Sequence, residues 1–443
     1  MALFGTAGIR GSTHTAITPA FMHTMGRALA LYVGGGTVVC GQDARRTSPA
    51  LAAALQAALM AHGCTVLDVG VVPTPVLAFA SWRYGVPAAM ITASHNPPQD
   101  NGIKVFSCGR EVGRVAEVAI ERLFGDTGPP FCPVPGHRMV EDVMGRYVRH
   151  IVSRVAGPSP RGALRGLSFL VDGGNGVGTS CLACILGHMG AMVTTVNSHV
   201  SGQVPGRPSE PTPHHLAQTL ALSSHLGVHG VFAQDGDADR IVLYLPDGTA
   251  VAEDTLLAYF ADRYAGEGDC VVLSIDTSRR TDEVLARRGI PVHRVPLGYL
   301  HDGVEALAPA FAGEPWKHIH PHIGPWIDGM ASAAMLAVAR ADRPWEDLFA
   351  AIPSYPFRKE SVPLPSDEAA NRVVEALKKK GNIDAVSTPT DGGRGMRLDY
   401  SDGSWVLVRP SGTEPKLRVL IEGPTSGRVS ELWDLVTTCV ERM

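Results

Sequence analysis

The chain reads as an α/β protein: three consecutive α/β domains with mixed, mostly parallel sheets, followed by a smaller C-terminal α+β domain. Three observations predict this. Short apolar strand patterns alternate with helical ones from the N-terminus, as βαβ units do, and the alternation restarts after Pro/Gly-rich breaks. Beyond Pro353 it gives way to one helix, a run of strands and a final helix. The expected domains are 1–135, 136–250, 251–352 and 353–443, within reach of the usual ~100 to 200 residues per domain.

Composition narrows the class. A hydrophobic share of 45% and a charged share of 19% are those of a globular protein that buries sizeable cores. The net charge of −4, without a basic block, argues against a nucleic-acid surface. No apolar run approaches the ~18 to 20 residues of a membrane helix, so no membrane partner is expected. The eight cysteines are irregularly spaced, and the opening residues lack a charged-then-apolar leader, so a reducing cytoplasm is the expected compartment. Cys181 and Cys184 sit in an apolar helical pattern and read as core.

In the first domain the glycine-rich turn 5–11 presents one cation, Arg10, and helices over 19–32 and 49–62 alternate with strands over 38–41, 65–69 and 87–91. The last strand runs into Thr92-Ala-Ser-His-Asn-Pro-Pro. Neither a helix nor a central strand continues through that sequence, so Ser94 lies on a rigid turn at a strand end, where functional groups of α/β proteins gather. An isolated serine in such a turn equally caps its own backbone. In the second domain a helix over 140–155 precedes a strand over 167–172 and the turn 173–178, Gly-Gly-Asn-Gly-Val-Gly. That turn suits a phosphate or tight packing equally well.

A strand over 230–234 then delivers Asp235-Gly-Asp-Ala-Asp-Arg240. Carboxylates at 235, 237 and 239 repel one another unless they converge on a hard divalent cation, and Mg²⁺ takes oxygen ligands. An EF-hand does not fit, because Pro246 stands where the bidentate glutamate belongs. The third domain carries helices over 254–265 and 279–288, strands over 271–275 and 292–295, and Gly313-Glu-Pro-Trp-Lys-His-Ile-His-Pro-His322. Its histidines at 318, 320 and 322 suggest zinc, but Pro321 breaks the strand spacing and no carboxylate stands ready to orient the rings. A polar substrate loop fits better, with Glu314 accepting from hydroxyls and His318 available for proton transfer. In the last domain, Arg409-Pro-Ser-Gly-Thr-Glu-Pro-Lys416 gathers a guanidinium, two hydroxyls and backbone N–H groups into an oxyanion cradle.

Taken together, the Arg10 turn, Thr-Ala-Ser-His-Asn-Pro, Asp-Gly-Asp-Ala-Asp-Arg, the Gly-Glu loop and Arg-Pro-Ser-Gly-Thr-Glu-Pro resemble, in this order, the α-D-phosphohexomutase family. The likeness implies a hexose-phosphate mutase with its domains around a central cleft. It implies Ser94 as a phosphoserine, Asp235, Asp237 and Asp239 as ligands of Mg²⁺ together with a phosphoserine oxygen, and Arg409, Ser411, Gly412 and Thr413 as the cradle of the non-reacting phosphate. Arg10, His95 and Lys104 fall where the family keeps phosphoryl- and proton-transfer groups, and Glu314 where it reads sugar hydroxyls. Phospho-Ser94 would convert a sugar monophosphate into a sugar 1,6-bisphosphate and recover the other phosphate, with Lys104 and His318 as acid and base. A small-molecule hexose phosphate is the expected partner, and a homodimer is compatible with the sequence.

Two departures bear on the substrate. Where the family's sugar loop has Glu-x-Ser-Gly-His, Trp316 and Lys317 replace serine and glycine, and Leu297-Gly-Tyr-Leu-His replaces Val-Gly with a charged residue. The Gly-Glu-Pro opening with the later Pro-x-x-Asp-Gly resembles phosphoglucosamine mutases more than mannose-type enzymes, and a phosphomannomutase or phosphoglucomutase is the alternative. A serine hydrolase is disfavoured, since Ser94 lacks a Gly-x-Ser-x-Gly elbow and His95 is not expected to reach its neighbour's hydroxyl. The competing classes are a sugar-phosphate phosphatase and a non-catalytic sugar-phosphate sensor.

Overall fold

The computed structural model describes residues 3–126, 132, 134–363, 367–379, 383–387, 395–410 and 416–441. They form two compact units, Met1–Glu253 with Val304–Ala306 and Trp316–Leu348, and Asp254–Gly303 with Leu307–Pro315 and Phe349–Met443. The expected third domain, 251–352, is thus shared between the units.

The first unit holds two sheets. One runs in the order Ile9–Ser12, Asp100–Ser107, Pro87–Ile91, Gly36–Gln42, Cys64–Val71, Arg138–Val140. Its members are parallel except that Asp100–Ser107 is antiparallel to both neighbours. The other runs Ile241–Tyr244, Val231–Gln234, Ser168–Asp172, Met192–Val196, parallel apart from its first strand. Local chemistry fixes the helices around them. In Pro19–Val33 the Thr18 hydroxyl caps the Phe21 N–H, Pro19 opens the first turn, and Gly34 ends the helix in the left-handed region at φ 68°. Its apolar face, with Met22, Met25 and Leu29, packs into a core shared with Leu55, Val66, Ile91 and Ile103.

In the second unit Val292–Val295, Val271–Ser274 and Phe311–Glu314 pair in parallel. A five-stranded antiparallel sheet follows, Phe357–Pro363, Lys416–Glu422, Trp405–Pro410, Met396–Tyr400, Ile383–Ser387. Helix Ser426–Glu441 backs it through Val429, Leu432, Trp433 and Val436. The change from α/β to α+β is therefore present. The helix expected over 140–155 begins only at Met144, because 138–140 pairs as an edge strand with Val66–Asp68.

For function the decisive feature is where strands end. Pro87–Ile91 leads to Ser94 and Val231–Gln234 leads to Asp235, and both ends open on one place in the first unit, the position that open α/β sheets reserve for ligands.

Candidate active site

Ser94 is fully buried and adopts φ 51°, a left-handed conformation that a non-glycine residue holds only when its surroundings over-determine it. Those surroundings are explicit. The Ser94 N–H donates to Thr92 Oγ1 at 2.9 Å, and Thr92 in turn donates to Asp43. Arg45, ion-paired with Asp43 at 3.1 Å, spends its guanidinium on the carbonyls of Ser94, Asn96, Pro97 and Asp100 at 2.6 to 2.9 Å. One buried cation therefore holds the whole turn. Ser94 Oγ donates to Asp235 Oδ2 at 2.7 Å.

The acidic loop is held the same way. Arg207 pairs with Asp172 at 2.9 Å and donates to the carbonyls of Gln234, Pro208 and Ser209. Behind it stands the turn 173–178. A Cβ on Gly176 would lie 2.5 Å from Gly236 O and one on Gly178 2.3 Å from the Ala238 Cβ, while the Val177 N–H donates to Gly236 O at 3.1 Å. Of the two readings open for that turn, close packing against the acidic loop is the one that its contacts satisfy.

Asp235, Asp237 and Asp239 are fully buried, and one oxygen from each lies within 4.8 Å of the others. Lys104 bridges Asp237 and Asp239 at 2.9 and 2.7 Å, Lys317 stands 3.6 Å from Asp239, and Arg240 stands 3.9 Å from Asp235. Asp237 also accepts from the hydroxyl of Thr74, 2.7 Å away at the first turn of helix Thr74–Tyr84. Burial and the two neighbouring carboxylates push Asp235 up to about 7. Burial opposes ionisation of Asp237 and Asp239 as well, but Lys104 outweighs it and holds both below the usual carboxylate range. The same pairing raises Lys104 despite its burial.

A divalent cation fits these residues. Asp237 Oδ1 and Asp239 Oδ1 are buried with no hydrogen-bond partner among the described residues, and uncompensated anionic oxygens of that kind call for a cation. Beside them, Arg10 has buried Nε and Nη2 groups with no partner among the described residues and reaches Asn96 at 3.5 Å through Nη1. Those free donors suit a phosphoryl oxygen.

The remaining expected site residues divide. His95 does reach its neighbour: Nδ1 is 3.3 Å from Ser94 Oγ, contrary to expectation, because the left-handed turn swings the two side chains to one side. The Ser94 proton nevertheless goes to Asp235, and burial with nearby Arg240 and Arg10 lowers His95 to about 2, so the ring is neutral. His318 is not on a substrate-facing loop. It is fully buried, its Nδ1 is 3.0 Å from Ser332 Oγ, and burial lowers it to about 3. His320 meets the same hydroxyl at 2.9 Å, so both rings serve the packing of helix Gly329–Asp342. Trp316, at φ 68°, lies under the guanidinium of Arg240 at 5.5 Å. Glu314 and Arg409 belong to the second unit, on strands Phe311–Glu314 and Trp405–Pro410. Ser411, Gly412 and Thr413 lie outside the described residues.

A strand-end serine beside a caged carboxylate triad, on this succession of α/β sheets, defines a metal-dependent phosphoryl-transfer enzyme. Comparison with known proteins gives the family: profiles described as phosphoglucomutase/phosphomannomutase α/β/α domain I, α/β/α domain II and C-terminal domain match residues 1–128, 145–248 and 365–437. The chain belongs to the α-D-phosphohexomutase family and is an intramolecular phosphotransferase of the isomerase class. It is 39% identical to the phosphopentomutase of Thermococcus kodakarensis, over 100% of this chain and 98% of that one. It is 37% identical to the probable phosphoglucosamine mutase of Methanopyrus kandleri, over 99% of each. A phosphoglucomutase/phosphomannomutase family protein of Burkholderia thailandensis shares the fold, with a TM-score of 0.84 at 24% identity over 100% and 97% of the chains.

Proposed function

We propose that the chain interconverts a sugar 1-phosphate and the corresponding terminal phosphate through phospho-Ser94 and a sugar bisphosphate. The observation that carries this is the Ser94 hydroxyl, 2.7 Å from a carboxylate of a buried triad that retains two oxygens without a partner among the described residues. In the first half-reaction the P–Oγ bond of phospho-Ser94 breaks as a bond forms from phosphorus to the free sugar hydroxyl oxygen, whose proton passes to Ser94 Oγ. In the second, Ser94 Oγ attacks the other phosphate, the bond from that phosphorus to the sugar oxygen breaks, and the Oγ proton passes to that oxygen, leaving phospho-Ser94 and the isomeric monophosphate. Mg²⁺ on Asp235, Asp237 and Asp239 would supply charge neutralisation for the transferring group. Arg10 grips its oxygens, Lys104 stays a fixed cation, and neutral His95 offers Nδ1 to the Ser94 proton when Oγ attacks. We assign the phosphoserine loop to 1–135, the metal loop to 136–250, the sugar-reading Glu314 to 251–352 and the phosphate cradle at Arg409, Ser411, Gly412 and Thr413 to 353–443.

For the sugar, glucosamine phosphate is the first reading, supported by the name of the Methanopyrus kandleri relative. A pentose phosphate is the second. It is supported by the name of the Thermococcus kodakarensis relative. An isomerisation assay with glucosamine, mannose and glucose 6-phosphates and ribose 5-phosphate, run with Mg²⁺ and a trace of sugar bisphosphate, separates them. Phosphate released without isomerisation would favour a phosphatase, and inertness toward every sugar phosphate would count against the assignment.

A further inference from the structure

We propose that Arg397 is a positioning residue that fixes the span between the phosphate cradle at Arg409 and the sugar-reading Glu314, so that the enzyme discriminates sugar phosphates by length. This rests on the roles given above to Arg409 and Glu314.

In the parallel sheet of the second unit the chain passes from Val271–Ser274 to Val292–Val295 on one flank, then crosses to Phe311–Glu314 on the other. The crevice at the carboxyl ends of Val271–Ser274 and Phe311–Glu314 is therefore a switch point, where open α/β sheets take ligands. Turn 275–279 leaves one of those ends and Glu314 closes the other. Two sets of bonds hold the turn. The first comes from its own α/β layer: Thr277 Oγ1 donates to Ser274 O at 2.7 Å, the Ser278 N–H to Asp254 Oδ1 at 2.7 Å, and Arg294 Nη2 to Ser278 O at 2.9 Å. The second comes from the C-terminal sheet. Arg397, fully buried on strand Met396–Tyr400, donates through Nη1 to Ile275 O and Thr277 O at 2.7 and 2.8 Å. Glu422 accepts from the Arg279 N–H at 3.0 Å and from Trp405 Nε1 at 2.8 Å, and Ile275 packs against Trp405, Leu407 and Leu420.

Arg397 is the rigid member of the second set. Its Nε and Nη2 are tied to Asp399 at 2.9 to 3.1 Å and its guanidinium carbon stands 4.0 Å from the centre of the Trp405 ring, so the fork has one orientation. Its backbone pairs with Leu407 on strand Trp405–Pro410, which also carries Arg409. A hydrogen-bonded antiparallel pair does not stretch. The distance from the turn to Arg409 is thus set by one side chain and a short length of strand. A sugar phosphate with its phosphate on Arg409 and its hydroxyls on Glu314 is measured against that distance. A substrate one carbon shorter or longer leaves one of the two contacts unmade, and an unmade polar contact is what discriminates. The bonds from the α/β layer keep the turn folded without Arg397, so its loss frees the spacing between the two sheets more than the turn itself.

The test is steady-state kinetics of the full chain with glucosamine 6-phosphate, glucose 6-phosphate and ribose 5-phosphate. Arg397→Lys keeps the charge and most of the volume but not the fork. It should raise KM for the preferred substrate about tenfold with kcat within about threefold of wild type, because the reacting Ser94 and the aspartates are carried by the first unit. The preference between the pentose and hexose phosphates, in kcat/KM, should shrink by about the same factor. Trp405→Phe, which keeps the packing and removes the donor to Glu422, should move KM and preference in the same direction by a smaller factor. A merely structural Arg397 would lower the fraction of active enzyme, and with it kcat, at unchanged KM and preference. That pattern, or wild-type kinetics, in folded Arg397→Lys overturns the proposal. Should Arg397→Lys not fold, unchanged KM and preference in Trp405→Phe overturns it instead. Arg409→Met separates the two levels: if it leaves KM for every sugar phosphate unchanged, Arg409 is not the cradle, and the reading of the site fails independently of Arg397.

Discussion

Arg45 carries more of the site's geometry than any side chain that faces the substrate. Its guanidinium satisfies four carbonyls of the turn that holds Ser94 in a left-handed conformation, and its Nε is tied to Asp43. A lysine cannot reproduce that fork, because an ammonium has three donors and no fixed plane. Arg45→Met should lower kcat about 10²-fold, the usual cost of misplacing a reacting group by an ångström or so. Arg45→Lys should recover only part of it. Turnover close to wild type in a folded Arg45→Met protein would show that the turn holds itself. Nothing in the sequence singled out Arg45, which reads there as one basic residue of a polar loop beside Asp43 and Arg46. Its partners are carbonyls about fifty positions away, and backbone acceptors leave no mark in a sequence pattern. Ser94 and the three aspartates were legible because their chemistry resides in side chains at close, regular spacing.

At the scale of elements, the glycines of 173–178 are the clearest case of sequence serving shape. They let a strand-to-helix turn back directly onto the acidic loop, with the Val177 N–H bonded to Gly236 O. Gly176→Ala would place a Cβ 2.5 Å from that carbonyl, so the loop must shift. We expect a stability loss of about 1 to 3 kcal/mol, as for other overpacked positions, together with weaker Mn²⁺ binding. Denaturant unfolding and Mn²⁺ titration check this, and a neutral effect on both would mean that the loop does not depend on its backrest. Helices such as Pro19–Val33 and Ser48–Ala61 were readable from their opening prolines and apolar stripes. Strands Ile9–Ser12 and Asp100–Ser107 were not, although they carry Arg10 and Lys104. The first is short and glycine-rich. The second follows a proline turn, and its Gly102 lies so close to the first strand that a Cβ would meet Ile9 O at 2.1 Å. Their pairing is a fact of tertiary packing, not of local pattern.

Over the whole molecule, buried histidines tie stability to pH. Burial holds His318 at about 3, well below the ordinary imidazole value of about 6.5. Between those values the unfolded chain binds a proton that the folded chain refuses. The stabilisation is therefore complete above about pH 6.5 and is lost as the pH falls toward 3, at up to about 1.4 kcal/mol per pH unit for this residue. His320, lowered by burial and by its neighbours His318 and His322, acts in the same direction. Unfolding measured across that range should show a shallower slope in His318→Gln, and an identical slope would mean that the ring titrates normally in the native protein. The division into α/β and α+β parts was visible from the alternation of patterns. The grouping of Trp316–Leu348 with the first unit was not, because it depends on contacts such as the Tyr147 hydroxyl donating to Asp328. The most direct test of the mechanism is peptide mass spectrometry of the enzyme during turnover. We expect one phosphoryl group on Ser94, installed by a sugar bisphosphate and discharged by a sugar monophosphate. An enzyme that isomerises its substrate at full rate with Ser94 never phosphorylated would contradict it.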